Sequence, residues 1–159
     1  MQKIAKYSLK AALIIIVYFF FLNTVTFANY LNNKVREILF YETKTVVVGE
    51  KTITVEIADN EKKRIKGLSY RKNLKEDYGM LFVSDNDGSF GIWMKDMNFP
   101  IDIIWVNKHF EIVYIEENVL PSTFPETFKS DIPARFVLEV KSGFVKNNNI
   151  KKGDLMTIL

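Results

Sequence analysis

"GIWMKDMNFPIDIIWV", residues Gly91 to Val106, is the stretch whose reading decides the fold. Successive strand side chains point to opposite faces. A strand over Ile101–Val106 therefore sets Ile101, Ile103 and Trp105 on one face and Asp102, Ile104 and Val106 on the other. Both faces are apolar, which predicts a strand covered on both sides. Asp102 is the exception. A buried carboxylate without partners is costly, so Asp102 has either a partner or a job. Lys95, Arg64, Arg71 and Arg135 are the candidate cationic partners, and backbone N–H groups are the other way to satisfy it. The functional reading makes Asp102 the polar anchor of a pocket lined by Trp93, Met94, Lys95, Met97 and Phe99. Methionines and aromatics are equally ordinary core filler.

Outward from that strand the chain reads as short strands separated by turns. "TKTVVVGEKTITVEIA" predicts a hairpin about Gly49-Glu50. Asp59 is placed to cap a short helix over "NEKKRIKGLSY", stopped near Gly67, with Lys62, Lys63 and Lys66 facing solvent and Ile65 packing inward. "GMLFVS" predicts a strand and "DNDGS" a type I turn; aligning Gly88 with the glycine of a calcium-binding EF loop puts Val83 and Met94 where acidic ligands belong. "FGIWMKDM", "FEIVYIEENV", "ARFVLEV" and "GDLMTIL" predict further strands, and "SGFVKNNNI" a second short helix. Three prolines argue against regular structure around "PSTFPETFKSDIP". The predicted class is α+β, mainly β: a small barrel-like antiparallel sheet with two short helices, preceded by an N-terminal hydrophobic helix.

A chain of 159 residues with 48% hydrophobic and 14% aromatic content supports one cored domain. The net charge of +3 comes from the beginning of the chain, where Lys3, Lys6 and Lys10 precede the first acid. Without them 19 basic residues face 19 acidic ones, which removes the electrostatic case for nucleic-acid binding. Those lysines lead into an apolar run, Ala11 to Leu22, followed by Thr26-Phe27-Ala28. This has the order of a secretory signal peptide cut after Ala28. The alternative is an uncleaved anchor crossing a membrane through residues 11–27. Either way the lysines predict a domain outside the cytoplasm, periplasmic or extracellular. Residues 1–28 are thus signal peptide or anchor, 29–43 a tether or short amphipathic helix, and 44–159 the domain. With no cysteine, disulfides and thiol chemistry are excluded.

The pieces "RIKGLSYRKNL", "YGMLFV", "IWMKDMNFPIDIIWV", "PARFVLEVKSGF" and "IKKGDLM" together resemble the domain of unknown function 192 (DUF192) family, over about residues 54–159. Ser69 and Ile92 are mild departures from its usual Met and Phe. The resemblance implies a small, barrel-like, β-rich domain that is frequently exported or tethered, and no established activity or catalytic residues.

Carboxylates carry the only enzyme chemistry the residues support: Asp102, Glu139 and Asp154 are the catalytic candidates, for a small hydrolase. Arg64, Arg71, Trp93, Met94, Lys95 and Asp102 are the ligand-binding candidates; an arginine gripping Asp102 or Glu139 is structural, and one lining a cleft suggests an anionic ligand. The single histidine, His109, falls at a hairpin tip, and no His cluster or phosphate loop is present, so neither a metal nor a cofactor is expected. The leading expectation is an exported or membrane-tethered, non-catalytic accessory module binding a small ligand, glycan or envelope component. The hydrolase and a pocketless protein-interaction domain are the alternatives.

Overall fold

The computed structural model of the chain describes residues 18–31 and 40–159. Residues 18–31 are helical (α1). The lysine-rich start, the first part of the apolar run and tether residues 32–39 lie outside the described residues. Among the described residues no helix is long and apolar enough to cross a membrane. A separate unit spans Tyr41–Leu159.

That unit holds β1 (Thr43–Val48), β2 (Lys51–Ala58), α2 (Glu61–Lys66), β3 (Tyr78–Gly88), β4 (Ile92–Trp93), β5 (Ile101–Val106), β6 (Ile112–Val119), β7 (Thr127–Phe128), β8 (Ala134–Lys141), α3 (Phe144–Asn147) and β9 (Met156–Ile158). Seven strands form one sheet in the order β6-β5-β8-β3-β2-β1-β9, and β4 and β7 pair separately. The sheet curls into a half-barrel. Its two ends meet where Ile112 N–H donates to Asp154 O at 2.9 Å and Met156 N–H to Phe110 O at 2.8 Å. The one parallel pair is β2–β3, because α2 carries the chain back across the sheet. The expectation of a wholly antiparallel sheet fails at that crossover alone.

All six residues of β5 are buried. Ile104 and Val106 join the concave core with Val46, Val55, Leu81 and Leu138. Ile101, Ile103 and Trp105 join a second core on the convex face with Met80, Leu68, Met94 and Val137. Fully burying such a side chain stabilises by about 1.5–3 kcal/mol. A two-sided strand of this kind therefore ties both cores together.

Five local expectations change. The proline-rich stretch 121–133 is not without regular structure: Thr127 and Phe128 pair with β4 there, since Pro125 and Pro133 flank the paired residues and do not interrupt them. Asn60, not Asp59, caps α2, its side chain accepting from Lys63 N–H at 3.0 Å. Lys63 is buried and Ile65 is 62% exposed, the reverse of the expected face. A helix of six residues has too few turns for periodicity to fix its inner side, and Lys63 lays its stem inward while its ammonium pairs with Asp59 at 2.8 Å. "DNDGS" is not a turn: β3 continues to Gly88 through a register shift against β8. "FGIWMKDM" pairs only at Ile92–Trp93 before the chain turns at Asp96, φ 57°.

Asp102 has no cationic partner among the described residues. Its Oδ1 accepts from Asn118 N–H at 2.9 Å and its Oδ2 from Val145 N–H at 3.0 Å. Val145 lies in the first turn of α3, whose cap residue Gly143 has no side chain to offer. Asp102 supplies that cap from a strand 43 residues away, and holds the left-handed Asn118 (φ 52°) of β6 with its other oxygen. The expected pairing with Lys95, Arg64, Arg71 or Arg135 is replaced by backbone capping. Asp102→Asn leaves a single acceptor for two amides. It is expected to lower unfolding free energy by about 2–3 kcal/mol, the range for hydrogen bonds to a charged group. Urea unfolding checks this, and a change under about 0.5 kcal/mol, typical of surface positions, would refute the anchoring role.

Candidate functional site

The convex face of β3 and β8 carries a small cleft of about 130 Å³. Phe82, Phe90, Ile92 and Val137 supply apolar walls, and Arg64 and Arg135 stand beside them. Arg64 Nη1 donates to Val83 O at 2.9 Å. Arg135 Nε donates to Asp87 Oδ1 at 2.8 Å, and Lys108 approaches the same aspartate at 3.8 Å. Each guanidinium is thus held by one contact, with further N–H groups of its five-donor fork left over. Gly91 borders the cleft, where a Cβ would overlap the Thr127 side chain of β7.

Along the same face of β8, Arg135 and Val137 are followed by Glu139, about 6.5–7 Å beyond Val137 at strand spacing. Register sets Glu56, Met80, Glu139 and Ile103 in one row across β2, β3, β8 and β5. Glu139 is buried, and its Oε2 has no hydrogen-bond partner. Burial pushes its carboxyl up to about 8, against a smaller opposing pull from Arg71. Arg71 spends its fork on Glu56, with Nη1 to Oε1 at 2.8 Å and Nη2 to Oε2 at 2.5 Å. That bond is the main reason its own pKa is raised. Tyr41 lies between two cations, with Lys63 Nζ 5.7 Å and the Arg71 guanidinium carbon 5.8 Å from its ring centre. Its hydroxyl is also buried without a partner, and burial raises its pKa.

Two loops cover this row. Tyr70 (φ 64°) and Asp96 (φ 57°) both adopt the left-handed conformation, uncommon for a bulky residue such as tyrosine. They hold each other there: Tyr70 N–H donates to Asp96 O at 2.8 Å and its phenol to Asp96 Oδ2 at 2.6 Å. Ser69 Oγ donates to Lys95 O at 2.8 Å, and Asn98 Nδ2 to Arg71 O at 2.9 Å. The loop that bears Arg71 is therefore fixed to the "WMKDMN" segment by four hydrogen bonds.

The catalytic candidates do not converge. Asp102 lies opposite Val140 in the β5–β8 register, and Ile103 opposite Glu139. The two carboxyls therefore point to opposite sides of the sheet. Asp154 caps its own turn, accepting from Lys151 N–H at 2.8 Å. Of the binding candidates, Arg64 lines the cleft and Arg71 reaches the Glu139 row. Met94 is core, Lys95 contributes its backbone carbonyl to the loop stitching, and Trp93 is 46% exposed, edge-on to Phe124 at 6.3 Å. The expected pocket joining these three to Asp102 does not form, since Asp102 faces the concave core and Met94 the convex one. Sequence reasoning missed Tyr41, assigned to the tether, and Glu56, whose alternation with Val55 and Ile57 reads as a solvent-facing residue.

Glu139 makes stability depend on pH. Its ordinary value is 4.5 and its folded value about 8, so the native state binds the extra proton between those values. The stabilisation is complete below about pH 4.5 and is lost as pH rises through about 8, by up to about 1.4 kcal/mol per pH unit inside that window. Glu139→Gln is expected to remove this slope and to be more stable than the parent at pH 8. Urea unfolding at pH 5.5 and 8 reads both effects; parallel profiles for the two proteins would contradict a buried proton at Glu139.

Solved structures similar to this chain include the following two. One is a Sinorhizobium meliloti 1021 protein provisionally described as a transcription regulator, with 29% identity and a TM-score of 0.70, covering 74% of this chain and 95% of its own. The other is a protein of unknown function from Novosphingobium aromaticivorans DSM 12444, with 26% identity and a TM-score of 0.66, covering 74% of this chain and 84% of its own. Among the curated proteins none matches. The family model described as DUF192, "Uncharacterized ACR", matches residues 43–158, from the first strand of the half-barrel to the last; the chain belongs to the DUF192 family.

Proposed function

We propose that this domain is a non-catalytic binding module for a small ligand with an apolar body and an anionic group, acting outside the cytoplasm as an exported or membrane-tethered accessory domain. The observation that carries the binding reading is the pair of guanidiniums beside an apolar cleft. Small-molecule sites are mostly apolar with a few well-placed polar groups, and arginine suits carboxylate and phosphate oxygens. The cleft volume limits the buried part to a short alkyl group or a single ring. Export rests on the order of lysines and apolar residues at the start of the chain.

A carboxylate hydrolase needs two carboxyls facing one substrate, and Asp102 and Glu139 face opposite ways. The description of the Sinorhizobium meliloti relative suits a ligand-sensing module. The folded unit here carries 17 basic and 18 acidic residues over positions 41–159, a balance that gives no electrostatic footprint for DNA.

Short carboxylates, from butyrate to octanoate, and their neutral methyl amides test the reading by calorimetry. The carboxylates are expected to bind and the amides not. Arg64→Ala and Arg135→Ala should each weaken carboxylate binding about tenfold or more, as loss of a charge-assisted hydrogen bond does. Asp87→Asn should strengthen it by releasing Arg135. Equal binding of acids and amides, or indifference to both arginine variants, would exclude this cleft as an anion site.

A further inference from the structure

Two buried polar atoms on the convex face have no partner among the described residues: the Tyr41 hydroxyl and Glu139 Oε2. The neighbouring buried donor Trp105 Nε1 meets Phe90 O at 2.9 Å, as nearly all buried polar groups do. The pair belongs to one cluster of charged and titratable groups drawn from five elements. Tyr41 precedes β1, Glu56 is on β2, Lys63 with its partner Asp59 is at α2, Arg71 is in the covering loop, and Glu139 is on β8. The cations are already committed, Arg71 to Glu56 and Lys63 to Asp59. Glu139 is flanked in register by Met80 and Ile103. A carboxyl so placed, without a dedicated cation, is neutral rather than ionised.

A neutral carboxyl donates a hydrogen bond, and so does a phenol. Arg71, whose charge acts on both groups, carries only donors. The acceptors of the cluster, Glu56 and Asp59, are taken up by Arg71 and Lys63, which leaves the Tyr41 hydroxyl and Glu139 Oε2 without one. We propose that Tyr41 and Glu139 are paired hydrogen-bond donors for one carbonyl or oxyanion oxygen of a small ligand admitted beside Arg71. A phenol coupled with a carboxylic acid kept neutral by apolar surroundings is a strong oxyanion-binding combination. The Arg71 side chain is 30% exposed against 5% for Glu139, and in this assignment entry passes beside its guanidinium. This site is distinct from the arginine-flanked cleft and lies one step further along β8.

Titration of the full chain with 4-nitrophenolate, whose visible absorption shifts when its oxygen accepts a hydrogen bond, tests the assignment. The parent protein is expected to bind it near neutral pH and to lose it above about pH 8, where Glu139 gives up its proton. Tyr41→Phe and Glu139→Leu should each weaken binding about tenfold or more, the usual effect of removing a hydrogen bond to a charged group. Glu139→Gln keeps an N–H donor and should retain binding on both sides of pH 8. The infrared carbonyl band of the Glu139 acid, identified by its absence in Glu139→Gln, should move when the probe enters the parent protein, which decides the matter even where the other variants fail to fold. Absence of binding, binding indifferent to Tyr41→Phe and Glu139→Leu, or an unmoved carboxyl band would overturn the assignment and leave a bridging water as the occupant. Binding lost on Arg64→Ala alone would place the probe in the cleft and overturn it equally.

Discussion

A sheet that is apolar on both faces must be covered on both, and the rest of the structure follows from that demand. The concave face covers itself: the sheet curls until the start of β6 meets the chain before β9, and Phe144, Val145 and Ile150 fill the hollow. The convex face cannot do the same. Trp105, Ile103, Met80 and Val137 require separate material laid over them, and the loop through Leu68 and Leu74, Met94 and the β4–β7 pair provide it. β5 runs through the middle of both solutions, which is why a strand without a solvent face sits at the centre of the chain's most hydrophobic stretch.

Cover made of loops brings a second demand. Irregular backbone has polar groups that no ladder satisfies, so the covering segments bond to each other. The left-handed Tyr70 and Asp96 are where this is most costly, since such conformations are strained for residues other than glycine. Their mutual hydrogen bonds hold the loop bearing Arg71 at a fixed height above the sheet. The same cover shields Glu139, Lys63 and part of Tyr41 from water. Buried polarity on the convex face is thus a product of how that face is closed, and the unmatched atoms gather where β2, β3, β8 and the Arg71 loop come together.

Much of the sheet was legible in the sequence. The faces of β5, the hairpin about Gly49, and strands β6, β8 and β9 follow from alternation and turn residues, because each is long or apolar enough for local pattern to dominate. The rest depended on tertiary context. Nothing local distinguishes a parallel return after α2 from an antiparallel one. "DNDGS" has turn composition, yet pairing of Gly88 with Ala134 keeps it in the sheet. The inner side of α2 is set by what lies beneath, Tyr41 and Asp59, and not by its own six residues. At the site, Arg64, Arg71 and Glu139 were recognisable as chemistry-bearing residues. Tyr41 and Glu56 were not, since one precedes the first strand and the other alternates like any surface acid.

Among the described residues two carboxyls are buried, one on each face of the sheet, and they are treated in opposite ways. Asp102 receives an amide on each oxygen, from β6 and from the first turn of α3. With each oxygen engaged and the side chain fully buried it is closed to a ligand, and its work is to seal one end of the half-barrel. Glu139 lies on the neighbouring strand, one register step away, with its Oε2 unmatched. The nearest guanidinium, Arg71, is already paired with Glu56. Cost separates the two cases: a buried carboxyl with partners contributes to the fold, whereas one without them weakens it. A residue that weakens the fold beside a second unmatched hydroxyl is poorly explained by architecture. Of the two buried acids, the one in the most conspicuous sequence motif is structural, and the one in an ordinary strand is where chemistry has room to occur.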